Sequence, residues 1–153
     1  MKNNLSIGDL LYRSKLIVEH AGIYLGNGQV LHNSPNGDVE ICALEEYANG
    51  KPIKVVPSRL SEEKKNQLFN KAKLLIKKAK KYGLLNNNCE HLASTMLHGK
   101  PSSEQLQGAG FGAVAGLLLA QCNQSKNSLL YILAGGLIGC MTVNAARKYD
   151  YFV

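Results

Sequence analysis

Between Gln105 and Ser125 the chain carries no charge, and between Asn127 and Ala146 it carries none again, with Lys126 alone between the two runs. The shift follows Pro101-Ser102-Ser103, where a charged and mixed sequence gives way to an apolar, glycine-rich one. As a helix, the second run of 20 residues would be about 30 Å long, the thickness of a bilayer's hydrocarbon core. The apolar centre of the first run, Gly108–Ala120, would reach only about 20 Å and fall short. Gly108, Gly112 and Gly116 are spaced by four, as are Gly135 and Gly139, a spacing that lets helices approach closely and self-associate in lipid. The expectation is an αα-hairpin turning at Asn123–Asn127, inserted into a membrane or packed on itself. A soluble alternative packs the same hairpin on a globular domain. At 153 residues, the length suits one modest domain, residues 1–101, followed by the hydrophobic hairpin, residues 102–153.

Within the first segment, Asn86-Asn87-Asn88-Cys89-Glu90-His91-Leu92 carries the clearest chemical signal. Leu92, Ala93, Met96 and Leu97 follow Cys89 at i+3, i+4, i+7 and i+8, one stripe of an α-helix. Asn88 then serves as N-cap and Cys89 as the first helical residue. A thiol at the positive end of a helix dipole is expected to have a lowered pKa, and the thiolate is the nucleophilic form. A free cysteine in such a place also reads as a small buried hydrophobe.

A base is available upstream. Two strand-like runs flank Gly26-Asn27-Gly28, a hairpin signal. A three-residue loop would pair Leu25 with Gln29 and Gly22 with His32, placing His20, Gly22, Tyr24 and His32 on one face. A two-residue loop would throw the histidines onto opposite faces. Glycine at the third loop position favours the former, with Gly22 leaving room beside the two rings.

Gly8-Asp9-Leu10-Leu11, His20-x-x-x-Tyr24-x-Gly26-x-Gly28 with His32, and Asn88-Cys89-Glu90-His91 together resemble the lecithin:retinol acyltransferase-like family. These are H-box and NC thiol enzymes related by permutation to NlpC-type peptidases, and the likeness covers roughly residues 5–100. It implies an α+β fold in which an antiparallel sheet packs against the helix bearing the cysteine, a permuted papain-like arrangement. It also implies that Cys89 is the nucleophile, His20 its general base and His32 the residue that orients His20. The spacing from His20 to His32 agrees with the phospholipid-acting branch. Ala21 stands where an aromatic is common, and Leu92 replaces a frequent phenylalanine; both bear on pocket lining. In such a site the thiolate attacks an acyl carbon while imidazole carries the proton to the leaving group. The free amide of Cys89 at the helix start is a natural oxyanion donor. Tyr24 lies on the right face to be a second donor, although a packed tyrosine is the simpler reading. No cofactor or metal is required.

The remaining pattern is strands near 8–13, 18–25, 29–34, 38–43 and 53–57, a short helix at 43–49, then two helices. The first of these, 61–81, holds eight lysines and two glutamates. Leu68, Ala72, Leu75, Ala79 and Tyr82 form its buried stripe, and its lysines suit solvent or an anionic lipid surface. Net charge is +7, but fifteen lysines against three arginines, without interleaved aromatics, argue against nucleic acid. Glu90 complements the helix start, and His98 before Gly99 opposes the C-terminal dipole. Cys89-x-His91 without a CxxC pair is a weak zinc signal. Cys42, Cys122 and Cys140 show no pairing pattern, which favours a reducing compartment. The expectation is therefore a cytosolic catalytic domain held at a membrane through residues 105–147, acting on phospholipid or another acyl lipid. A cysteine amidase or peptidase of NlpC type, and a non-catalytic membrane-targeting module, remain as alternatives.

Overall fold

The computed structural model describes residues 5–15, 18–34, 38–82, 89–100 and 102–153, with the side chains of 78–82 left aside. The elements run β1 (Leu10–Lys15), β2 (Val18–Gly26), β3 (Gln29–Asn33), β4 (Val39–Ala43), α1 (Leu44–Ala48), β5 (Lys54–Val56), α2 (Glu62–Tyr82), α3 (Cys89–His98), α4 (Glu104–Cys122), α5 (Ser128–Ala146) and β6 (Tyr151–Phe152). The strands form one six-stranded sheet in the order β4-β3-β2-β1-β5-β6. The pairings β1–β5, β2–β3, β3–β4 and β5–β6 are antiparallel. An α+β architecture is the result.

Both faces of the central strands are covered, so β2 is buried almost throughout rather than alternating. On one face Ile23, Leu25, Leu31 and Val39 meet Leu68 and Ala72 of α2 and Leu92, Ala93 and Met96 of α3. The helical stripe expected from Cys89 is the buried face of α3, with Leu97 packed at its margin. On the other face Leu11, Val30, Cys42, Ile53 and Val55 surround Tyr47 of α1. Lys64, Lys71, Lys73 and Lys77 of α2 are exposed, as a solvated or lipid-facing arc requires. Asn88, expected as the N-cap, lies outside the described residues, as do the side chains of Ala79 and Tyr82.

The β2–β3 hairpin differs from expectation in an instructive way. Its turn has two residues, Asn27 and Gly28, both at positive φ and closed by the Gly26–Gln29 pair, as a type I′ turn demands. Alone, that turn would separate the histidines. A bulge between Tyr24 and Gly26 inserts one residue into β2 and restores the pairing of Gly22 with His32. Tyr24 accepts a hydrogen bond from the Gly28 amide at 3.1 Å, so its hydroxyl oxygen ties the side chain to the turn.

The chain divides into two compact units: residues 1–14, 19–102 and 148–153, and residues 15–18 and 103–147. Residues 148–153 fall in the first of these units, although composition groups them with the hairpin. The last six residues contain β6, beside which Val153 and Ile53 exchange backbone hydrogen bonds at 2.9 Å and the Asp150 amide reaches Val55. A two-residue strand has too little sequence to announce itself, and its existence depends on β5 offering a free edge.

The second unit is the expected hairpin, with helices over 104–122 and 128–146. A Cβ placed on Gly112 or Gly135 would strike the other's carbonyl, and the same holds for Gly108 and Gly139. The glycines thus let two backbones touch. Ser103 caps α4 by accepting from the Leu106 amide at 3.2 Å. Arg147 pairs with Glu104 at 3.0 Å, joining the two open ends of the hairpin. Phe111, Leu118, Leu129, Leu133 and Ile138 are exposed. Among the described residues, α5 is the helix long and apolar enough to cross a membrane.

Candidate active site

The bulged hairpin brings His20 and His32 together, buried to 7% and 5% exposure. His20 Nε2 lies 3.1 Å from His32 Nδ1, and the rings stand nearly perpendicular, 84° apart. That contact leaves Nδ1 of His20 as its other ring nitrogen. Cys89, at the first turn of α3, presses its sulfur against the backbone flanking His20. The Ala21 amide donates to Sγ at 3.2 Å, and the thiol points to the Glu19 carbonyl at 3.9 Å. The Cys89 sulfur and the His20 side chain thus share one short stretch of β2.

The electrostatics differ from the helix-start expectation. Burial pushes the Cys89 thiol above its ordinary value, and the Glu90 carboxylate adds to this. The amides of Ala21, Glu90 and Cys89 pull the other way without prevailing. Desolvation of a sulfur in a nearly closed site outweighs a helix terminus whose effect is worth about 0.3–1 kcal/mol. His32 is held below its ordinary value by burial, against the Asn33 carbonyl and Glu40. Burial thus disfavours the charged forms of both Cys89 and His32.

Tyr47, absent from the sequence reading, organises this site. Its ring stacks on His20 at 5.6 Å between centroids and 29° between planes, and meets His32 edge-on at 5.4 Å. Its hydroxyl is within bonding distance of the carbonyls of His20 (2.7 Å) and Leu11 (2.8 Å). Burial, with the charge a Cys89 thiolate would carry, holds its phenol well above the usual range and keeps it a donor. The space beside the histidines that Gly22 was expected to leave belongs to this ring: a Cβ on Gly22 would sit 2.8 Å from Tyr47 Cε2. A glycine paired across a hairpin with a functional histidine was the available signal.

Glu19 is a second residue the sequence did not single out. Its buried carboxylate accepts from Lys54 and from the Tyr149 hydroxyl, and Lys54 also lies over the Tyr149 ring at 4.8 Å. Because the Glu19 carbonyl faces Cys89, this cluster ties the segment after the hairpin to the reactive sulfur's surroundings. Asp9 plays a comparable structural part, accepting from the amides of Ser6 (2.8 Å) and Ser58 (3.3 Å) and from Tyr151 (3.4 Å).

Of the other thiols, Cys42 and Cys140 are buried and Cys122 is exposed. Burial raises Cys42 to about 11. Glu90 is buried in the first turn of α3. Among the described residues, no three His, Cys, Asp or Glu side chains are grouped to hold a metal ion.

With the geometry established, comparison with known proteins is informative. The sequence profile described as lecithin retinol acyltransferase matches residues 3–102. This chain belongs to the lecithin retinol acyltransferase family. The matched stretch contains β1 to β5, α1 to α3 and all of Cys89, His20, His32 and Tyr47. Human phospholipase A and acyltransferase 2 is 28% identical over 137 residues, covering 74% of this chain and 85% of its own. Human phospholipase A and acyltransferase 4 is 25% identical, covering 73% and 84%. The mouse phospholipase A and acyltransferase 3 is 26% identical over 123 residues, covering 67% and 76%. In this family member α4 and α5 lie beyond the matched profile.

Proposed function

We propose that this protein is a membrane-associated lipid acyltransferase or acyl hydrolase of phospholipase A type, working through an acyl-Cys89 intermediate. The observation that carries the reading is the lodging of Cys89 Sγ against both backbone neighbours of His20, whose Nε2 is engaged by His32. The cysteine helix on an antiparallel sheet is read as a permuted NlpC-like arrangement. Nδ1 of His20 takes the thiol proton as the sulfur bonds to the acyl carbon, and the carbonyl π pair moves onto oxygen. The oxyanion faces the Cys89 amide at the start of α3. Collapse breaks the bond to the leaving alcohol, which receives the proton from His20. Water or an acceptor alcohol or amine then attacks the thioester carbon, giving up its proton to the same nitrogen; the C–S bond breaks and the proton returns to the Cys89 sulfur.

The substrate class follows from relatives named phospholipase A and acyltransferase and from the exposed apolar surfaces of α4 and α5. The exposed lysines of α2 add attraction to anionic lipid, about 1 kcal/mol each near the surface.

Intact-mass analysis of the full-length protein in mixed micelles tests this. With phosphatidylcholine, a hydroxylamine-labile acyl adduct is expected on Cys89 and absent in Cys89→Ala. His20→Ala should slow its formation by about 10²–10⁴-fold. An adduct obtained with acyl-peptide but never with phospholipid would favour an amidase, and none with either would leave a non-catalytic module.

A further inference from the structure

The imidazole pair poses a question of proton placement. Nδ1 of His32 has two neighbours, His20 Nε2 at 3.1 Å and the Asn33 carbonyl oxygen at 3.0 Å. They demand opposite tautomers. A proton on Nδ1 would serve the Asn33 carbonyl, and His20 Nε2 would then be an acceptor with its proton on Nδ1. That arrangement leaves His20 with no lone pair for a thiol. A bare Nδ1 on His32 instead accepts Nε2–H from His20 and frees His20 Nδ1 as the base.

The choice is made at the far side of the His32 ring. Glu40 is the residue directly across from His32 in the β3–β4 ladder, and its Oε1 lies 3.6 Å from His32 Nε2. A carboxylate there repels a lone pair and attracts a proton. We propose that Glu40 is a positioning residue of the site: its carboxylate keeps the proton on His32 Nε2, so that His32 Nδ1 accepts from His20 and His20 Nδ1 faces the thiol as base. The inference rests on the thiol reading above for its kinetic consequence, but its tautomer stands without it. It also supplies the carboxylate that a second histidine lacks when imidazolium forms on His20, since the positive charge can be shared along the chain toward Glu40.

The carboxylate is half-exposed, at 48%, so its influence is that of a screened charge. The other groups facing His32 are Arg13 of β1, Glu46 and Tyr47 of α1, and His20 of β2. Glu40 is the carboxylate within ion-pair distance of Nε2.

The test uses the full-length protein in mixed micelles, labelled with ¹⁵N-histidine, with His32 assigned through His32→Gln. In the wild type, His32 should carry its proton on Nε2. In Glu40→Ala it should move to Nδ1, while Glu40→Gln should restore Nε2–H because an amide oxygen accepts the same proton. With short-chain phosphatidylcholine as substrate, kcat of Glu40→Ala should fall about three- to fivefold, the upper scale of a half-exposed charge pair. KM should stay within about twofold, as expected for a change in proton transfer rather than binding. The acid limb of the pH profile should move down, because a carboxylate no longer favours the charged imidazole pair. An unchanged His32 tautomer in Glu40→Ala overturns the proposal whatever the kinetics. Wild-type turnover in Cys89→Ala would instead refute the thiol reading and leave the tautomer result to decide Glu40 alone.

Discussion

At the scale of single residues, the site is built from groups whose environments oppose easy ionisation. The buried Cys89 thiol is raised above its ordinary value and the buried His32 imidazole lowered, so both are neutral near pH 7. Iodoacetamide should therefore react with Cys89 at pH 7 more slowly than with a free thiol, and faster only as pH rises past the ordinary cysteine value of about 8.5. Exposed Cys122 should label first in detergent. Rapid labelling of Cys89 at pH 6, read by peptide mass mapping, would mean a preformed thiolate and a helix terminus stronger than burial. Tyr47 supports the pair from beneath. Tyr47→Phe removes a hydroxyl that serves two buried carbonyls, and should cost about 1–3 kcal/mol in chemical denaturation. A loss below the error of measurement would show that water satisfies those carbonyls.

At the scale of elements, one inserted residue decides whether the histidines meet. The type I′ turn at Asn27-Gly28 and the bulge at Leu25 are each a common device, and only their sum gives the observed parity. Deleting Ile23, between the bulge and the histidine, should shift the preceding part of β2 by one position and turn His20 to the opposite face. Turnover should then fall by at least about 10²-fold, the lower bound for losing a general base. Ile23 is also a core residue, 0% exposed, so Ile23→Ala is the control: it costs about 2–5 kcal/mol of packing but keeps the register. Comparable activity in the deletion and in Ile23→Ala would show that the parity of β2 does not set the site.

At the scale of the whole molecule, the hairpin is an insertion into the catalytic unit's sequence rather than a tail. After α5 the chain contributes β6, and Tyr149 and Tyr151 bond to the carboxylates of Glu19 and Asp9. The Tyr149–Glu19 bond alone is worth about 1.5–3 kcal/mol, as a hydrogen bond to a charged group. Truncation at Ser103 should therefore lower Tm or yield insoluble protein. Excision of 103–147, with a short glycine-serine linker between Ser102 and Lys148, should retain the fold, because the Glu104–Arg147 pair holds the hairpin's ends close together. The excised protein should lose salt-resistant flotation with vesicles. Binding that remains through α2 lysines should vanish as salt rises. Flotation of the excised protein at high salt would refute a hairpin anchor, and a well-folded truncation at Ser103 would show β6 to be dispensable.

Much of this was written locally. The charge-free runs specify two helices and their turn because twenty residues without a charge, broken only by Lys126, leave few other ways to satisfy backbone and side chains. The four-residue glycine spacing fixes which faces touch. Cys89 and the apolar positions after it lie on one helical stripe at any site in any fold. The three motif blocks are equally local, and they point to the family by themselves. Contacts between distant segments were another matter. Tyr47 is one aromatic in a five-residue helix, and nothing nearby says that it will fill the space Gly22 leaves. Glu40 meets His32 only because β4 pairs in one register. The Cys89 thiol rises because three elements exclude water from it, while the sequence displays only the helix that would lower it. β6 needs a free sheet edge, and a bulge is invisible without the strand it pairs against. Periodicity is a property of one segment and is legible in it; desolvation, register and edge pairing belong to two or more segments and exist only once they meet.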